Sequence, residues 1–167
     1  MTVGISVELL HSFVTGTPRV QDNQEGWMTS NFTGPIEDRL AIREVLETYA
    51  DAVNRVDAEL WASLRVEDCH WDLSHYPELG VVSGKDAVVK LWKDAMPHYP
   101  KLGFMVTIGS IVVTGDTAKA RTYISEVYEE PGTGKDKRAR ARYDDTLVKR
   151  DGEWFLQGRY FNIIHQT

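Results

Sequence analysis

The chain has 167 residues and a mass of 19.0 kDa, the size of a single domain that buries roughly 70% of the surface its unfolded chain exposes. Nineteen Lys and Arg against 25 Asp and Glu leave a formal net charge of −6, which argues against a nucleic-acid backbone or an anionic membrane surface as the main partner. With 26% charged and 42% hydrophobic residues, the composition is that of a folded globular protein, away from the disordered regime.

Cys69 is the single cysteine, so neither an intramolecular disulfide nor a multi-thiolate metal site is expected, and a reducing cytoplasm fits best. The longest apolar runs, such as Phe104 to Ile108, fall far short of the roughly 20 residues that cross a bilayer. The N-terminus lacks the basic and apolar regions of a secretory signal, and the chain reads as soluble and not exported.

Residues 1–34 are rich in Gly, Thr, Ser, Asn and Gln, with a short apolar patch at Val7, Leu9, Leu10, Phe13 and Val14 and no sustained period. They read as an arm, with the domain proper spanning 35–167. Met28 opens a run that would serve equally well as a start.

From Pro35 the pattern changes. Ile42, Val45, Leu46, Tyr49, Val53 and Val56 recur at steps of three and four, which predicts a long helix over 36–55 with one apolar stripe. Pro35 suits its first turn, and Glu37 and Asp38 suit its positive dipole end. A second helix is predicted from Asp57 through Leu64. A third follows Ser83, where Ser-Gly-Lys-Asp offers a capping pattern before Val88, Leu91, Trp92 and Ala95, and Pro97 and Pro100 close it.

Strands are predicted at 69–75, 104–113, 118–128, 141–150 and 154–164, separated by Gly115-Asp116, Pro131-Gly132-Thr133-Gly134 and Asp151-Gly152. Helices first and an antiparallel meander afterwards give an α+β order, in which a curved sheet wraps its concave face over the helices.

This pattern resembles the SnoaL-like group of the nuclear transport factor 2 superfamily over about residues 36–163. The likeness rests on Leu46-x-x-Tyr49-Ala50-Asp51, Asp57, Trp61 and Leu64, then on Glu67-Asp68-Cys69-His70-Trp71 and Ser83-Gly84-Lys85-Asp86-Ala87. It continues through Gly115-Asp116-Thr117-Ala118, Tyr143-x-Asp145-x-Leu147 and Asp151-Gly152-Glu153-Trp154. The resemblance implies a cone-shaped α+β barrel, with the N-terminal helices in the concave face of a mostly antiparallel mixed sheet around one apolar pocket. The architecture hosts several chemistries and does not choose among them.

Members resembling scytalone dehydratase or hexachlorocyclohexane dehydrochlorinase use a His in the first meander strand as general base, four residues before an Asn. In the dehydrochlorinase type an Asp after the first helix orients it, and an Arg on the last strand supports the leaving group. Asp57 and Arg159 match that Asp and Arg, whereas Phe104 falls where the His belongs and Ile108 where the Asn belongs.

The candidate groups carry two readings each. Asp57 is either the N-cap of the short helix behind it or a pocket acid/base. Tyr49 continues the apolar stripe and offers a hydroxyl to the pocket. Alternation over 69–75 places Trp71, Leu73 and His75 on one face; the resemblance makes Trp71 a pocket-lining aromatic, which implies that His75 aims toward the same cavity or its mouth and is the best substitute base at neutral pH.

Arg159 alternates with Phe155, Phe161 and Ile163, and on such a face it is either paired or serves a ligand's negative charge. A two-residue Asp151-Gly152 turn sets Asp144 across from it; a three-residue loop sets Tyr143 there with Asp145 diagonal. His98 reads as an exposed turn residue and His165 as a rim residue on the Arg159 face. The basic run Lys135, Lys137, Arg138, Arg140 and Arg142 reads as a solvated edge.

No metal-ligand spacing and no phosphate loop is found, so no cofactor and no metal is expected. The expected function is a cofactor-independent lyase or isomerase acting on a small aromatic or polyketide-like compound. Asp57, His75, Arg159 and Tyr49 would be its catalytic groups and Trp71, Phe104, Ile108 and Tyr143 its walls. The alternative is a non-catalytic ligand-binding or accessory subunit, as in the small subunits of ring-hydroxylating dioxygenases. A homo-oligomer, dimer or trimer, is expected through Trp154, Leu156 and Tyr160 on the opposite sheet face.

Overall fold

The structure, a computed structural model, describes residues 31–167. Most of the expected arm, with its apolar patch and the alternative start at Met28, lies outside the described residues.

The domain is α+β. Strand β1 (Phe32–Thr33) leads into helix α1 (Ile36–Arg55) and helix α2 (Ala58–Ser63), followed by β2 (Arg65–Leu73), β3 (Gly80–Ser83) and helix α3 (Lys85–Ala95). A single turn of 3-10 helix at Met96–His98 precedes β4 (Gly103–Thr114), β5 (Thr117–Glu129), β6 (Asp136–Arg150) and β7 (Glu153–Gln166). One seven-stranded sheet runs in the order β1-β4-β5-β6-β7-β2-β3, parallel at β1–β4 and β2–β7 and antiparallel elsewhere. The sheet wraps the helices as a cone without closing, with β1 and β3 as its edges. No helix among the described residues is long and apolar enough to cross a membrane.

Helix α1 buries Ile42, Leu46, Tyr49 and Val53 on one stripe, as its spacing predicts. It is clamped to the sheet at both ends. Asp38 accepts from Lys149 Nζ at 2.8 Å and Trp154 Nε1 at 2.9 Å, while the Asn54 amide donates to the Phe104 carbonyl at 2.7 Å and accepts from the Phe104 N–H at 2.8 Å. Val56 does not continue the stripe: it takes a left-handed φ of 53° beyond the helix end and is 55% exposed. At the start of α3, Ser83 makes no cap; Gly84, at φ 89°, turns the chain instead.

The inner face of the sheet is read most clearly on β6, where Ala139, Ala141, Tyr143, Asp145 and Leu147 are buried. Arg138, Arg140 and Arg142 alternate with this row on the outer face of a central strand, whereas Lys135 precedes the strand and Lys137 pairs with Glu130, so the run does not form one edge. The interval between β6 and β7 settles the register left open above. The turn is the two-residue Asp151-Gly152, but β7 carries one extra residue at Gln157, so Leu147 faces Leu156 while Asp145, not Asp144 or Tyr143, faces Arg159.

This bulge reverses the alternation. Trp154 and Leu156 therefore turn inward and are buried against the helices, and the contact surface expected from them does not exist; of that trio only Tyr160 is exposed. A second shift near Ile164 pairs His165 with Arg140 and leaves it exposed, away from the Arg159 face.

A β-branched residue in a left-handed conformation carries a steric penalty that glycine lacks. Val56→Gly should raise stability by about 1 kcal/mol, measured by urea unfolding; no gain, or a loss, would show that the Val56 side chain contributes more by packing than its backbone costs.

Candidate functional site

Four residues from three elements meet around Arg159: Tyr49 from α1, Tyr143 and Asp145 from β6, and Trp71 from β2, paired in register with Arg159 on β7. Arg159 is 1% exposed, and its Nε and Nη2 donate to the two oxygens of Asp145 at 2.6 and 2.8 Å. Its guanidinium carbon lies 4.1 Å from the Tyr49 ring centre and 3.9 Å from that of Tyr143. Such side-on bidentate pairing against ring faces is how an arginine is held charged in a dry interior. Burial opposes the charge, but Asp145, with smaller help from the tyrosines, outweighs it and holds the Arg159 guanidinium above its ordinary range. One nitrogen, Nη1, has no acceptor among the described residues.

Arg65 is the second buried cation. It opens β2, is 2% exposed, and stacks 3.9 Å over the Trp61 ring, with Tyr49 and Trp71 each at 5.8 Å. None of its three side-chain nitrogens has an acceptor among the described residues, nor do the indole N–H groups of Trp61 and Trp71. Burial, reinforced by the neighbouring charge of Arg159, pushes the Arg65 guanidinium down to about 10.

Trp61 stacks on Trp92 at 4.8 Å and tilts against Tyr49 at 5.8 Å, and Phe104 meets Tyr49 edge-on at 6.0 Å. Phe104 is buried with its backbone held by Asn54, and Ile108 is half-buried, paired across to Thr122.

A ring of tyrosines forms where β2, β5 and β7 end. Tyr76 stacks on Phe161 at 6.1 Å, Phe161 meets Tyr143 at 5.6 Å, and Tyr99 meets Tyr128 at 4.7 Å. Glu126 lies on the inward row of β5 with Thr122, Ile124 and Tyr128, and its charge bears on Tyr76, Tyr99, Tyr128 and Tyr143. Burial raises its carboxyl to about 7.

The sequence candidates divide. Tyr49, Trp71, Phe104, Tyr143 and Arg159 are brought together. Asp57 stands apart: its Oδ1 accepts from the Leu60 N–H at 3.0 Å as the cap of α2, and Oδ2 faces Arg55 at 3.4 Å. His75 also stands apart. β2 stops at Leu73, the Asp72 carboxylate accepts from the Ser74 N–H, and His75 falls in the exposed turn, its ring edge-on to Tyr76 at 5.3 Å. His98 is exposed in its turn.

Two surface depressions, of about 410 and 300 Å³, lie along α3, one lined by Lys85, Val89 and Lys93 and the other by Val56, Trp92 and Met96.

Sequence reasoning missed Arg65 because the strand was started at Cys69, four residues too late. Glu126 is not among the sequence candidates, although the period of two from Ala118 to Tyr128 places it on the inner face.

The cone-shaped α+β fold is that of the nuclear transport factor 2-like proteins. Within them, the SnoaL-like domain family matches residues 35–160, and the chain belongs to that family. A scytalone dehydratase-like protein of Novosphingobium aromaticivorans is similar in structure, with 23% identity and a TM-score of 0.69 over 78% of this chain and 87% of that one. An aromatic ring hydroxylase-like protein of the same organism gives 24%, 0.69, 81% and 95%. The hexachlorocyclohexane dehydrochlorinase LinA type 3 of Novosphingobium barchaimii gives 16%, 0.70, 78% and 89%. At these identities the likeness is one of fold. No curated protein matches the chain.

Removing Asp145 would leave two buried cations uncompensated, so Asp145→Ala should cost about 3–5 kcal/mol in denaturant unfolding; a cost under 1 would mean that the pair is hydrated. Glu126 gives a pH signature. Its carboxyl ionises near 4.5 when unfolded and near 7 when folded, so between these values the folded state holds the extra proton and stability falls as pH rises, levelling off above 7. Glu126→Gln should gain on the parent by on the order of 3 kcal/mol across that window. Parallel stability profiles from pH 4 to 8 would rule this out.

Proposed function

We propose that the protein is a small-molecule pocket protein acting as a cofactor-independent lyase or isomerase on a small aromatic or polyketide-like compound. The observation that carries this reading is Arg159, buried, paired on one side by Asp145 and presenting its free Nη1 beside Tyr49 and Tyr143. A guanidinium oriented in advance in a dry site stabilises negative charge as it develops on a substrate oxygen or a leaving group. Burial keeps the Tyr143 phenol protonated, and its hydroxyl is engaged with Tyr49, a bond that a ligand oxygen would replace or share.

Trp71, Phe104, Ile108 and Tyr143 serve as apolar walls for a flat ring. The proton is assigned to Glu126, because a carboxyl near neutrality exchanges protons in either direction at physiological pH. Asp57 and His75, bonded as a cap and exposed in a turn, support this role less well. Tyr76, in the turn after β2, stacks on Phe161, which meets Tyr143, and a ligand reaches the centre by displacing these two half-buried rings.

One observation favours a second reading. The apolar Phe104, packed on Tyr49 with its backbone clamped by Asn54, leaves no base at the position the family resemblance assigns to one. A non-catalytic ligand-binding or accessory subunit would bind its ligand there and need no base.

The test follows water loss from β-hydroxy aryl ketones by the absorbance of the enone, together with ligand-dependent thermal shifts. The double variant Arg159→Met with Asp145→Leu replaces the pair by apolar side chains and should keep the fold. It should lose turnover by about 10²–10³-fold. Thermal shifts without turnover in the parent would favour the subunit reading, and equal turnover in parent and variant would remove Arg159 from the chemistry.

A further inference from the structure

The charge inside the cone does not balance. Two guanidiniums, Arg65 and Arg159, lie against the same Tyr49 ring at 5.8 and 4.1 Å, and both oxygens of Asp145 are engaged by Arg159. The other groups whose charge bears on Arg65 are Tyr49 and Cys69, and burial raises the Cys69 thiol, so it stays neutral. Glu126, the other inward carboxyl, is not among the groups that bear on Arg65, so one positive charge is left over around a side chain with almost no exposed surface.

The donors left over lie in the same place. The Arg65 guanidinium carbon lies 3.9 Å from the Trp61 ring centre, and the N–H groups of a guanidinium lie in its own plane. All three nitrogens lack an acceptor among the described residues, as do the Trp61 and Trp71 indoles beside it and Nη1 of Arg159. A ring face attracts a cation but accepts none of these in-plane hydrogen bonds. Buried donors without acceptors and a buried charge without a counterion each cost stability. An acceptor with two in-plane oxygens and one negative charge would answer both, and a carboxylate matches the guanidinium fork.

Resting on the small-molecule reading above, we propose that the ligand is a singly charged aromatic acid, its carboxylate seated on Arg65 and its ring lying among Trp61, Tyr49 and Trp71. The two arginines then divide the work. Arg65, uncompensated, takes the charge that the ligand brings; Arg159, already paired, takes charge that appears during reaction. A dianion would leave a net negative charge in the same dry space, which disfavours phosphate esters.

The experiment measures binding of benzoate, salicylate, cinnamate and 2-naphthoate to the full 167-residue chain, each against its primary amide at constant ionic strength, with sodium chloride as a further arm. At least one acid should bind at least tenfold more tightly than its amide. Arg65→Met should abolish that preference without lowering the melting temperature of the ligand-free protein, because an apolar chain replaces an unpaired charge. Arg65→Lys should keep part of the preference, and it reads the same question should the Met variant fail to fold. Equal binding of acid and amide in the parent would overturn the proposal while leaving the small-molecule reading intact. So would a preference that persists in both Arg65 variants, or chloride protecting as well as the acids. Absence of binding by every acid and amide would overturn both.

Discussion

The organisation of the interior depends on one extra residue in β7. Up to Leu156 the last two strands pair as a plain two-residue hairpin requires; past Gln157 they pair one step further along. Side chains of a strand alternate, so that single step exchanges the faces of everything beyond it. Before the bulge, Trp154 and Leu156 face the helices; after it, Arg159 does, with Asp145 directly opposite at hydrogen-bonding distance. Without the shift, Asp144 would oppose Arg159, and Asp144 instead lies outside with Arg121 and Arg142. A buried arginine is tolerated only with its counterion correctly placed, so the bulge is what allows a charged centre in this core.

The second requirement is a fixed position for Tyr49, the ring that both guanidiniums share. Helix α1 could slide or roll on an apolar stripe, because apolar contact has little directionality. Polar clamps remove that freedom. Asp38 ties its first turn to β6 and β7 through Lys149 and Trp154, and Asn54 ties its last turn to the Phe104 backbone on β4. Tyr49 lies between the clamps, and Phe104, Trp61 and Tyr143 close on it from three directions. The polar bonds that hold the helix are therefore also what shape the aromatic wall of the site.

Much of the architecture was legible beforehand. The stripe of α1, the cap at Asp57, the three closely spaced helices and the four-strand meander all follow from local rules, which act over a few residues and leave a periodic trace. The errors were of another kind. His75 was placed on a strand that ends two residues earlier, where Asp72 bonds the Ser74 N–H and starts a turn. Val56 belongs to the apolar period of the stripe by spacing, yet it closes the helix with its side chain exposed. Arg65 left no trace, because a lone arginine between a short helix and a strand looks like any exposed connection residue.

From the order of residues alone came the α+β class, the family likeness and an arginine on an apolar face that had to be answered by something. Those conclusions depend on composition, period and spacing, which are properties of the chain read in one dimension. Which carboxylate answers Arg159, which side of the sheet Trp154 and His165 occupy, and that Arg65 stands buried beside the same tyrosine were decided only by the folded molecule. Each turns on a register shift or on contacts between segments far apart in sequence, and neither a bulge nor a distant neighbour is encoded in the local pattern that sequence reasoning follows.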